Sequence, residues 1–90
     1  MTLAERITSV LAGTGFRPYA DMPLDATHYS GPFFLVAEGV GATVSVAWTD
    51  AADAERGVML HRYAIRLHEV GLVAERRAGY LYVTEPEGRP

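Results

Sequence analysis

Cysteine, lysine, asparagine and glutamine are all absent from this 90-residue chain. Without cysteine there are no disulfides, no thiolate nucleophile and no sulfur ligand for a metal. Small secreted domains usually rely on disulfides, so a reducing compartment is expected, with cytoplasm as the default. Without lysine every strong cation is an arginine. Eight arginines face eleven acidic residues, giving a formal charge of −3. That field has the wrong sign for a nucleic-acid backbone, so nucleic acid is an unfavoured partner. Lysine and asparagine codons are rich in A, so their absence points to a GC-rich bacterium or its phage as the source.

No apolar run approaches the roughly 18–20 residues needed to cross a bilayer. The opening Met1-Thr2-Leu3-Ala4-Glu5-Arg6 lacks the charged-then-apolar order of a signal peptide. A membrane partner is therefore not expected. Hydrophobic residues make up 49% and charged residues 21%, a balance that folds. Ninety residues suffice for one domain and not for two. A core of that size is modest, and self-association would supplement it.

What is present reads as alternating helices and strands. Thr2 and Glu5 have the spacing of a capping box. Leu3, Ile7, Val10 and Leu11 then follow at helical spacing, and Gly13 and Gly15 stop the pattern. The spacing predicts a helix over 3–13. Phe16 to Tyr19 reads as a short edge strand, because Pro18 cannot donate to a ladder. Residues 20–32 carry Pro23, Gly31 and Pro32 and no period, and read as a long loop. Phe33–Glu38 and Ala42–Trp48 form a hairpin about Gly39-Val40-Gly41. Val44, Val46 and Trp48 share one face, and Thr43, Ser45 and Ala47 the other.

Thr49 or Asp50 is the expected cap of a second helix over 51–70. Its expected buried stripe is Gly57, Leu60, Ala64 and Leu67, widened by Val58 and Ile65 on one side and Tyr63 on the other. Gly71 ends it. Leu72–Arg76 and Tyr80–Thr84 form a last hairpin. The segment 85–90 has no apolar anchor and reads as a flexible tail after a single domain over 1–84. A faint repeat aligns Leu3, Ile7, Leu11, Gly15 and Phe16 with Met59, Tyr63, Leu67, Gly71 and Leu72. The expected fold class is α+β: a mostly antiparallel four- or five-stranded sheet with two helices on one face, in the order α-β-β-β-α-β-β.

No motif for chemistry stands out. The serines lack a nucleophile elbow, and Gly13-Thr14-Gly15 ends a helix where a phosphate loop would open one. His61 and His68 stand about 10 Å apart along their helix, awkward for one metal ion. The expectation is a non-catalytic domain with no cofactor and no metal. If Leu81 and Val83 face the helices, Tyr80 and Tyr82 lie on the open face beside the small Thr43 and Ser45. Tyrosines on such a platform suit a protein partner or a homodimer. Arg76 and Arg77 flank the adjoining turn and complete the expected partner-binding set. The alternative is a small-ligand or enzymatic site under the 20–32 loop, built from Asp21, Asp25, His28 and Tyr29.

Overall fold

A computed structural model of the chain describes residues 2–19, 32–48 and 51–86. Seven elements follow in order: α1 (Leu3–Gly13), β1 (Arg17–Pro18), β2 (Phe33–Glu38), β3 (Ala42–Ala47), α2 (Asp53–Glu69), β4 (Val73–Arg76) and β5 (Leu81–Thr84). The five strands form one sheet in the order β1-β2-β3-β5-β4. Only β1 and β2 are parallel; the other three neighbour pairs are antiparallel. This is the expected α+β class and element order.

The parallel pair accounts for the long connection before β2. A chain cannot pair parallel to itself through a tight turn and needs about a dozen residues to return. Residues 19–32 meet that requirement whatever else they do.

Both helices bury one stripe into a single core. Ile7 and Leu11 of α1 and Met59, Leu60, Tyr63 and Leu67 of α2 pack with Phe34, Ala42, Val44, Leu72, Leu81 and Val83. Each strand alternates accordingly, so Thr43 and Tyr82 fall on the opposite face. Each fully buried aliphatic side chain here stabilises by about 1.5–3 kcal/mol.

The helix ends are built alike. Glu5 accepts from the Thr2 amide and Glu55 from the Ala52 amide, both at 2.8 Å. At the other ends Gly15 and Gly71 take φ of 98° and 87°, a conformation that disfavours any Cβ. Gly15 N–H donates to Ala12 and Gly71 N–H to His68; Phe16 N–H donates to Leu11 and Leu72 N–H to Leu67. The repeat seen in the sequence is thus a repeated glycine-terminated helix end feeding an edge strand, β1 or β4.

Two expectations about α2 are corrected. The N-cap is Ala52, not Thr49 or Asp50. Glu55 supplies the capping contact, and Arg56 ties the preceding turn by donating to the Ala51 and Trp48 carbonyls at 2.6 Å each. The helix is also rotated from the expected stripe. Val58 is 59% exposed and Ile65 42%, whereas Tyr63 is fully buried. The Tyr63 ring decides this rotation. It meets Phe16 edge-on at 4.8 Å and Phe34 at 6.0 Å, and such aromatic pairs add about 0.5–1.5 kcal/mol each beyond the area they bury.

The Tyr63 hydroxyl has no hydrogen-bond partner among the described residues, and burial pushes its pKa up to about 12 against the pull of the Arg62 charge. The folded state thus holds the phenol neutral while the unfolded chain ionises it near 10. Stability is therefore whole below pH 10 and falls as pH rises toward 12, by about 2–3 kcal/mol over that window. Chemical denaturation at stepped pH should show this decline. The Tyr63→Phe variant should show a flatter profile, with stability at neutral pH equal to or above that of the parent.

Candidate functional site

The face of the sheet turned from the helices is set by pairing register. Reading across, Leu35 stands opposite Ser45, and Ala37, Thr43, Tyr82 and Glu75 form one row. Val73 and Thr84 form the next pair. Leu35 is 42% and Val73 47% exposed, while Tyr82 is partly covered. The face is therefore apolar at two corners, Leu35 and Val73, with the small Thr43 and Ser45 and the aromatic Tyr82 between them.

Tyr82 is held from two sides. Beneath it is Gly41, at the close of the β2–β3 turn. A Cβ there would stand 2.7 Å from the Val83 carbonyl oxygen and 3.0 Å from Cζ and the hydroxyl of Tyr82. Above it the Arg77 guanidinium lies 4.9 Å from the ring centroid. Arg77 also donates to the Glu75 carboxylate, with which it forms a close ion pair. That hydrogen bond raises the guanidinium above the ordinary arginine value; slight burial opposes it, and the Glu75 charge and Tyr80 add to it. The result is a braced cluster of Tyr82, Arg77 and Glu75 at the β4–β5 end of the face.

Of the residues expected from the sequence, the structure brings Thr43, Tyr82 and Arg77 together, with Ser45 two residues along β3. Tyr80 precedes β5; its carbonyl accepts from the Arg77 amide at 2.8 Å and closes the turn. Arg76 is separated from the rest. Its guanidinium lies against Gly57 of α2, 3.5 Å from where a Cβ would stand, on the helix side of the sheet. Alternation along β4 assigns the two neighbouring arginines to opposite faces. Sequence reasoning missed Glu75, Leu35 and Val73, although their positions in alternating strands carried the signal. Asp21, Asp25, His28 and Tyr29 lie outside the described residues.

The far end of this face is closed. Phe33 is only 4% exposed and stands outside the core cluster, and the Arg17 guanidinium lies 4.4 Å from its ring centroid. His61 and His68 are exposed on α2. His68 Nε2 lies 3.3 Å from both the amide nitrogen and the carbonyl oxygen of Ala74, so it accepts from one or donates to the other according to its tautomer. Among the described residues no group of three metal-ligating side chains gathers, and no helix is long and apolar enough to cross a membrane. Compared with protein-family models, with curated proteins and with solved structures, the chain has no match.

The Gly41→Ala substitution should force the β2–β3 turn away from β5 and unseat the Tyr82 ring. The expected cost is about 1–3 kcal/mol, read as a lowered urea midpoint with an unchanged slope. Gly57→Ala supplies the contrast, because its new methyl meets Arg76 at an ordinary contact distance. In a helix interior that change should stabilise by up to about 1 kcal/mol.

Proposed function

We propose that this chain is a small non-catalytic interaction module of the cytoplasm, which binds a protein partner or a second copy of itself through the sheet face that carries Tyr82. The observation that carries the reading is the exposure of Leu35 and Val73 on either side of the braced Tyr82, on a face that neither helix covers. Exposed aliphatic corners around an aromatic anchor are what the centre of a protein interface offers. Bracing matters as much as exposure. Arg77 above and Gly41 below restrict the ring before any partner arrives, so less side-chain entropy is lost on binding. Thr43 and Ser45 keep the ground beside it low, so a partner's side chain has room to lie against the ring.

Catalysis finds no comparable support. Among the described residues the titratable side chains of this face are Glu75, Arg77, Arg17 and the tyrosines. Glu75 and Arg77 neutralise one another, which leaves neither free as a general acid or base.

Sedimentation across micromolar to high micromolar concentration tests the reading. A reversible dimer is expected, weakened by at least about tenfold in Tyr82→Ser, with an unchanged circular dichroism spectrum. A strict monomer removes self-association. Capture from the source cell with parent and Tyr82→Ser proteins side by side then decides the partner arm, and equal capture by both sinks the proposal.

A further inference from the structure

Seven arginines lie among the described residues. Four face a carboxylate: Arg6 with Glu85, Arg56 with Asp53, Arg66 with Glu69 and Arg77 with Glu75. Arg76 is occupied differently, donating from Nε to the Arg77 carbonyl at 3.1 Å and lying over Gly57. Arg17 and Arg62 have no carboxylate partner among the described residues. Each stacks on a phenyl ring instead, Arg17 at 4.4 Å from the Phe33 centroid and Arg62 at 5.5 Å from that of Phe16. In a chain with more acids than bases, two cations with no carboxylate among the described residues call for an explanation.

The two arginines border the same groove. It has a volume of about 260 Å³ and lies where α1 ends and β1 begins, with Phe16, Pro32 and Met59 in its wall. Arg62 also stands at the border of a smaller neighbouring groove with Ile65, the exposed aliphatic of the outer face of α2. The carbonyls at the end of α1 do not compete for the guanidinium groups. Thr14 donates from its amide and hydroxyl to Leu11, Gly15 donates to Ala12, and Phe16 donates to Leu11. The Leu11 and Ala12 carbonyls are thus engaged within the helix end itself.

We propose that this groove is a docking site for an acidic segment of a partner protein, whose carboxylates are received by Arg17 and Arg62 while an adjoining apolar side chain lies against Phe16 and Ile65. Charge complementarity selects the occupant. Arg62 spends one N–H on Met59 Sδ at 3.9 Å, a weak acceptor that a carboxylate displaces, and a guanidinium against a ring still presents donors that match a carboxylate in a forked pair. Contact with the ring restricts each guanidinium in advance, which reduces the entropy lost on binding. The chain's net charge of −3 repels an acidic ligand at long range, so the recognition is local and works within a Debye length. Arg17 lies over Phe33 at the far end of the sheet face that carries Tyr82, and the site uses none of Tyr82, Arg77, Glu75, Leu35 or Val73.

The test uses the whole chain and a fluorescein-labelled peptide of repeating Glu-Leu-Gly, with a Gln-Leu-Gly peptide as the uncharged control. Fluorescence anisotropy should give a dissociation constant of about 10–100 μM for the acidic peptide at low salt, weakening as sodium chloride rises to about 0.5 M. Arg17→Gln combined with Arg62→Gln should weaken it by at least about tenfold, and Arg62→Lys, which keeps charge but not the fork, by several-fold. Arg6→Gln, at an arginine already paired with Glu85 and outside both grooves, should leave affinity within about twofold. Tyr82→Ser should bind the peptide as the parent does, which separates this site from the sheet face. Absence of salt-sensitive binding by the parent protein overturns the proposal. So does equal affinity in the double variant, an equal loss in Arg6→Gln, or tighter binding of a single-stranded oligonucleotide of matched charge.

Discussion

The pairing of β3 with β5 fixes everything else about this molecule. Three residue pairs join them: Ala42 with Val83, Thr43 with Tyr82 and Val44 with Leu81. That seam unites the half of the sheet built by β1, β2 and β3 with the half built by β4 and β5. Its register places four fully buried apolar residues beneath the helices and one polar-aromatic pair on the other side. Slipping β5 by one residue against β3 would send Tyr82 toward the core and turn Leu81 and Val83 outward, because side chains alternate along a strand. Gly41 reinforces the choice. The backbone of the turn approaches Val83 so closely that no side chain fits there, which makes the seam and the seat of Tyr82 one structural unit.

The two halves arrive at that seam by similar starts and different finishes. Each begins with a helix whose N-terminal amide is capped by a glutamate and whose C-terminal end closes on a glycine. Each then enters an edge strand, β1 or β4. From there the paths part. The turn after Arg76 is tight and returns β5 antiparallel to β4, while the connection after Pro18 returns β2 parallel to β1. Strand direction, not loop function, sets the minimum length of that first connection.

Much of this was legible in the sequence, for identifiable reasons. The Thr2–Glu5 box, the two glycine stops and the alternation from Ala42 to Trp48 are local signals, and each falls where the structure has the corresponding feature. The errors lie where distant residues decide. The rotation of α2 depends on Tyr63 finding Phe16 and Phe34, contacts separated by tens of residues that helical periodicity does not report. The cap of α2 moved to Ala52 because Arg56 ties down the preceding turn through backbone carbonyls. The grouping of Arg76 with Arg77 failed on alternation that the sequence did contain. Glu75, Arg76 and Arg77 are successive residues, and only the pairing of Glu75 with Tyr82 says which of their faces is open.

The edges of the sheet bear on how such a molecule can associate. An unpaired edge is a template for another strand, and edge pairing would compete with any face-to-face contact. Here both edges are blunted at positions related by the internal repeat, Pro18 and Ala74. Pro18, on β1, has no amide hydrogen to offer. Ala74, on β4, has its outward amide and carbonyl within reach of His68 Nε2, a side chain from the last turn of α2. One edge is blocked by covalent chemistry and the other by a histidine in the place of a strand. Association through the edges is therefore penalised at both ends, and the exposed apolar area that remains on the sheet lies on its open face, at Leu35 and Val73 beside Tyr82.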